Sequence, residues 1–179
     1  SESEQTSLLI KNHMRRLVDS EYEFFKDSKW PDITTKVLDH GEINNKKLID
    51  WVISLGVDFV FIFGTSILNK YWLEAFPEKI INLHLGLSPF YKGSATLFWP
   101  FVNNEIECVG CTIHIASKNV DSGKIISRVK PELKEGDDYY AINNKAIHEA
   151  ILKMPNSIEM YLNGSINLIN QNIKDGNLY

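Results

Sequence analysis

Cysteine is scarce in this chain of 179 residues, which has only Cys108 and Cys111. Two thiols cannot form the disulfide framework that staples small secreted domains. Their Cys-x-x-Cys spacing has no second pair to complete a metal site, and it lies in a strand-like run, Glu107-Cys108-Val109-Gly110-Cys111-Thr112-Ile113-His114-Ile115. A redox pair normally opens a helix whose terminus lowers the thiol pKa, so two structural free thiols are expected. Positive charge is also in deficit: 19 basic against 23 acidic side chains give a net charge of −4. That removes the general electrostatic footprint of a nucleic-acid binder or of a protein held on an anionic membrane. No uncharged apolar stretch approaches the ~18 residues needed to span a bilayer, and Ser1-Glu2-Ser3-Glu4-Gln5 has no signal-peptide character. A cytoplasmic protein without membrane or nucleic-acid partners is expected.

What remains suffices for one core, because 44% of the residues are hydrophobic and 11% aromatic; a single domain over 1–179 is expected. Helix and strand signals alternate. A first helix is predicted over Thr6–Lys26, with Leu9, His13, Arg16 and Leu17 near one face, ended by Trp30-Pro31-Asp32. Thr35–Leu38 reads as a short strand, and Asn44 as the cap of a helix running to Leu55, with Gly56 at its end. Asp58–Phe63 is continuously apolar, the pattern of a central strand. A helix over Asn69–Phe76 then leads to a strand over Lys79–His84. Thr96–Val102 suggests a helix interrupted by Pro100, Gly110–Ala116 and Lys124–Val129 two strands, and Ala141–Leu162 a closing helix that contains Pro155, where a proline costs ~3 kcal/mol unless a kink is useful.

Chemistry concentrates at the end of one predicted strand. Asn82-Leu83-His84 is followed by Leu87-Ser88-Pro89-Phe90-Tyr91-Lys92-Gly93 and, one strand later, by Asp121-Ser122-Gly123. A carboxamide can donate to a developing oxyanion, an imidazole can carry a proton, and a carboxylate can hold that imidazole charged, so these are the parts of an acyl-transfer site. In open parallel sheets ligands bind beyond the carboxyl ends of the strands. Taken singly, Asn-x-His or Asp-x-Gly is an ordinary turn; joint occurrence carries the reading. Gly86 and Gly93 would permit tight backbone geometry there. His114 alternates with Ile113 and Ile115 and is a candidate to face the cleft. His13, His40 and His148 read as surface or packing residues, and Phe98 and Trp99 as core or a stacking platform. Lys92 and Arg128 could meet an anionic substrate group, although exposed basic residues usually have no dedicated partner.

Three ordered blocks resemble the folate-dependent formyltransferases, the group that includes methionyl-tRNA, glycinamide ribonucleotide and sugar-nucleotide N-formyltransferases. Phe63-Gly64-Thr65-Ser66-Ile67-Leu68 resembles the family's strand-to-helix loop, Asn82 to Gly93 its catalytic segment, and Val120-Asp121-Ser122-Gly123-Lys124-Ile125-Ile126 its aspartate loop. The resemblance implies an α/β, Rossmann-like fold with a mostly parallel sheet and formyl transfer from 10-formyltetrahydrofolate, a diffusible co-substrate, to a primary amine. It implies catalytic positions at Asn82, His84 and Asp121, folate contacts from Phe63 to Leu68 and at Asn119 and Val120, and no metal. Ser88, Tyr91, Lys92, Gly93 and His114 are the implied substrate contacts. Lys92 stands where the family commonly has arginine, replacing a planar fork by a point charge. Leu85-Gly86-Leu87-Ser88-Pro89, Phe98-Trp99-Pro100 and Asn144-Lys145-Ala146-Ile147 are most similar to the sugar-modifying branch, so a nucleotide-linked amino sugar is the expected acceptor. The alternative is a catalytically degenerate module of the same fold that binds folate or a protein. Family members open with strands that this sequence lacks before Thr35; either they are absent or the chain is a fragment, and an exposed sheet edge would favour a dimer.

Overall fold

A computed structural model of the chain describes residues 2–179 apart from Trp30, Thr34, His40 and Ile173, with side chains from residue 5 onward. Trp30 as a helix stop and His40 as a packing residue therefore lie outside the described residues. The elements run α1 (Glu2–Phe25), α2 (Lys46–Ser54), β1 (Val60–Phe63), α3 (Lys70–Ala75), β2 (Ile80–His84), β3 (Tyr91–Lys92), α4 (Trp99–Val102), β4 (Cys111–Ile115), β5 (Ile125–Val129), α5 (Tyr139–Leu162) and β6 (Asn177–Leu178).

Four strands form the central sheet in the order β1-β2-β4-β5. β1 and β2 are parallel, as a strand-helix-strand crossover through α3 requires. The long connection after β2, which carries β3 and α4, and the short loop after β4 both return the chain antiparallel. Helices cover both faces. On one face Ile80 packs with Leu48 and Ile49 of α2 and Trp72 of α3. On the other, Ile81, Leu83, Cys111 and Ile113 pack with Ile142, Ala146 and Ala150 of α5. Ile80 and Ile81 point to opposite layers because successive strand residues alternate, and burial on both sides explains why β2 reads as an unbroken apolar run. Each fully buried isoleucine or leucine contributes about 1.5–3 kcal/mol. Cys111 is buried and Cys108 half-buried, both free; burial pushes the Cys111 thiol up to about 12, so it packs as a small apolar side chain.

Local differences from expectation have local causes. Residues 35–38 form no strand; Val37 is 94% exposed, with no neighbouring layer to bury it. Asn45, not Asn44, caps α2 by accepting from Lys47 N–H, while Asn44 bridges to the loop after β1, donating to Ile67 O at 2.9 Å and accepting from Asn69 N at 2.8 Å. Pro100 sits in the first turn of α4, where its missing N–H has no partner to lose. α5 runs through Pro155. α1 reaches the rest of the fold through α5: His13 Nδ1 lies 3.0 Å from Tyr140 OH, and the Arg16 guanidinium lies 4.6 Å over the Tyr140 ring. Leu9, expected on the buried stripe, is 69% exposed. His148 meets the rings of Phe24 and Phe25. Among the described residues the outer edge of β1 is unpaired, and an apolar groove of about 710 Å³ lined by Phe59, Phe61, Met154 and Ile158 is present.

Candidate active site

Asn82 and His84 are two apart on β2 and so share a face, and the antiparallel register sets His114 of β4 directly opposite Asn82. Asp121 enters from the β4–β5 loop in the left-handed region, φ 47°, which aspartate tolerates better than most residues. The carboxylate is the hub. Its Oδ2 lies 3.3 Å from His84 Nδ1 and accepts from Gly93 N–H at 2.8 Å; its Oδ1 accepts from Asn82 Nδ2 at 3.4 Å and lies 3.4 Å from His114 Nε2. Asn82 Nδ2 also lies 3.0 Å from His114 Nε2, whose other nitrogen donates to Ile115 O at 2.9 Å. Both amide protons of Asn82 thus have protein acceptors, and a substrate oxygen would displace the longer of the two contacts.

His84 is held between two acceptors, Tyr91 O at 2.8 Å on Nε2 and Asp121 on Nδ1. A neutral ring satisfies one of them and an imidazolium both. Burial, with 6% of the residue exposed, nevertheless outweighs the raising effects of Asp121 and the Tyr91 carbonyl, and the imidazole lies below its ordinary value. Asp121 acts in the expected, raising direction, but desolvation is the larger effect and sets the net shift. Burial alone would raise Asp121 too, but the neighbouring His114 and His84 rings and Gly93 N–H together bring it below the ordinary carboxylate value. The result is an ionised acid beside a neutral base ready to take a proton.

Two glycines are required by contact. A Cβ on Gly86 would lie 2.5 Å from His84 Nε2. One on Gly93, φ 95°, would lie 2.3 Å from the Tyr179 carbonyl oxygen. Tyr179 belongs to a C-terminal strap: β6 pairs with β3, Tyr179 N–H donates to Lys92 O at 2.9 Å, and Ser94 N–H donates to Tyr179 O at 3.1 Å. The Tyr179 ring stacks on Trp99 and Tyr91, with centroids at 4.9 and 5.3 Å.

A cleft of about 1060 Å³ runs over these groups. Its lining includes Asn82, His84, Gly93, His114 and Asp121, together with Phe63, Gly64, Thr65, Ser66, Ile67, Leu68, Asn119 and Val120. Three proposed substrate contacts lie elsewhere. Ser88 is fully buried, its N–H bonded to Thr112 and its carbonyl to Arg128. Tyr91 is buried with its hydroxyl on Glu105. Lys92 is 5% exposed and donates to Asp175 O at 2.8 Å; the chain turns these three side chains into the fold, while Gly93 lies on the cleft wall. Sequence reasoning missed Gln171, which donates to the carbonyls of Asp121 at 3.1 Å and Gly123 at 2.5 Å and so pins the aspartate loop. It also missed Leu178 and Tyr179, which line the cleft. These contacts span about 50 to 90 residues of chain, and no periodicity signals them.

The fold is an α/β sheet covered on both faces, with an amide and an imidazole at the carboxyl end of β2 and a carboxylate brought to them by the β4–β5 loop. The formyl transferase family model matches residues 11–158, and the chain belongs to that family. It is 31% identical over 153 residues to the bifunctional polymyxin resistance protein ArnA of Wigglesworthia glossinidia brevipalpis, covering 84% of this chain and 23% of that protein. The chain thus spans about a quarter of that curated relative's length. The structure is similar to formyltransferase PseJ from Anoxybacillus kamchatkensis, crystallised with UDP-4,6-dideoxy-4-formamido-L-AltNAc and tetrahydrofolate (TM-score 0.61, 22% identity, 88% of this chain and 78% of that one). It is also similar to phosphoribosylglycinamide formyltransferase from Anaplasma phagocytophilum (TM-score 0.67, 22% identity, 76% and 67%). No helix among the described residues is long and apolar enough to cross a membrane.

Proposed function

We propose that the chain transfers a formyl group from 10-formyltetrahydrofolate to the primary amine of a nucleotide-linked amino sugar in the cytoplasm, with Asn82, His84 and Asp121 carrying the chemistry. The observation that carries this reading is the meeting of those three groups at one point of the cleft. Folate would lie along Phe63 to Leu68 and Asn119 to Val120, which line the same cleft. The sugar acceptor draws support from PseJ, crystallised with a nucleotide-linked formamido sugar.

The attacking nitrogen bonds to the formyl carbon, its lone pair forming the new bond while the carbonyl pair moves to oxygen. Asn82 Nδ2 turns from its longer contact to the oxyanion. Asp121 takes the amine proton, directly or through water, and passes it to His84 Nδ1, 3.3 Å from its Oδ2. The imidazolium then has both N–H groups accepted and places a positive charge near the oxyanion. Collapse reforms the carbonyl and breaks the bond to folate N10, which receives the proton and leaves as tetrahydrofolate.

The test is incubation with 10-formyltetrahydrofolate and a panel of amino-sugar nucleotides, reading product mass. One added formyl group, lost in His84→Asn, is expected. If no amine is formylated while a folate analogue still binds in calorimetry, the chain is instead a folate-binding module of the same fold. The uncovered β1 edge and its groove would pair with a second copy, making a homodimer; a monodisperse monomer in light scattering would refute that arrangement.

A further inference from the structure

One residue of the cleft wall carries a buried polar atom that has no hydrogen-bond partner among the described residues. Asn143, in the second turn of α5, lines the cleft and is 4% exposed, and its side-chain oxygen is that atom. Leaving a buried acceptor unpaired costs about 1–3 kcal/mol. A cost of that kind inside a binding cleft is relieved when a ligand supplies the donor. The cleft wall also includes His13, Phe98 and Tyr139. Their rings are mutual neighbours, with centroid separations of 5.6 Å for His13–Tyr139 and 6.2 Å for both His13–Phe98 and Phe98–Tyr139. The Tyr139 hydroxyl interacts with the Asn143 side chain, which places the orphan oxygen next to these rings.

We propose that Asn143 determines acceptor specificity, its Oδ1 accepting a hydrogen bond from an amide-type N–H carried on a flat group that packs against Phe98, Tyr139 and His13. A flat group is required because a puckered ring bearing several hydroxyls would press unpaired polar atoms against apolar faces. A nucleotide-linked amino sugar has such an N–H in two places, the imide of a pyrimidine base and an acetamido substituent on the sugar. The assignment deepens the proposed function and rests on its acceptor class.

Calorimetric titration of the unmodified protein separates the sources. UDP is compared with N3-methyl-UDP for the base, and UDP-N-acetylglucosamine with UDP-glucose for the acetamido group. The expected result is that one pair differs by roughly tenfold, the effect of one hydrogen bond to a buried amide. That difference should vanish in Asn143→Leu, whose folding is checked by circular dichroism, while its affinity for a folate analogue stays unchanged. Equal affinities within both pairs overturn the inference, as does discrimination that survives in Asn143→Leu or a loss confined to folate. Binding without discrimination leaves the amino-sugar-nucleotide reading standing. Failure of every nucleotide to bind overturns both.

Discussion

Replacing Asp121 by asparagine isolates the carboxylate's charge from its shape. Asparagine also tolerates the left-handed backbone at φ 47°, so no backbone strain is added. Its side-chain oxygen can keep the 2.8 Å contact to Gly93 N–H. Its amide nitrogen then takes the position of Oδ1, where it can donate to His114 Nε2 but meets the Asn82 Nδ2 protons head-on. One buried donor–donor conflict costs about 1–3 kcal/mol of stability, enough to lower the melting temperature by several degrees without unfolding the chain. Turnover should suffer more, because the base is gone: a fall of roughly 10²–10⁴ in kcat is expected, with KM for folate changed far less. The assay is formyl transfer at saturating co-substrate beside a thermal melt. If kcat stays within tenfold of the parent while the melt shifts as described, Asp121 is a structural hub and not the base.

Asn82→Ala should lower kcat about 10²–10³-fold with a folded circular dichroism spectrum; an unchanged rate would remove the amide from the oxyanion role. Gly93→Ala adds a Cβ 2.3 Å from the Tyr179 carbonyl, so it should displace the strap and Gly93 N–H together, lowering both the melting temperature and kcat. Wild-type stability with lost turnover would separate the two. Acidification should destabilise the fold through both titrating partners. His84, held below its ordinary 6.5 by burial, stays neutral while the unfolded chain takes up a proton as pH falls below 6.5. Asp121, brought below 3.8 despite burial by His114, His84 and Gly93 N–H, repeats the effect at lower pH. Urea midpoints should therefore fall from pH 7 to pH 5, and less so in His84→Asn; parallel curves would refute the His84 assignment.

β2 was legible because burial on both faces leaves a continuous apolar run. The same kind of run misplaced β1 at the centre, whereas it forms a partly buried edge. The cap of α2 was read one residue early, at Asn44 instead of Asn45. Thr35–Leu38 misled because β-branched residues mark strands only where a layer exists to receive them, and Val37 has none. The meeting of Asn82, His84 and Asp121 could be anticipated because two of them share one strand and the third ends a neighbouring loop. The inward turn of Tyr91 and Lys92 could not, since it depends on Glu105 and Asp175, which only the finished fold brings close. Gln171 left no mark for the same reason: its partners, the carbonyls of Asp121 and Gly123, are set by tertiary closure, not by spacing.

The strap has a temporal consequence. Phe90, Lys92 and Ser94 take backbone partners from residues 177–179, more than eighty positions away in the sequence, so the segment that supplies Gly93 N–H to Asp121 is completed only when those distant residues close on it. Contacts of such long separation form late. Folding would therefore build the sheet first, and the pocket around Asp121 would gain its last backbone donor only when this strap closes over it.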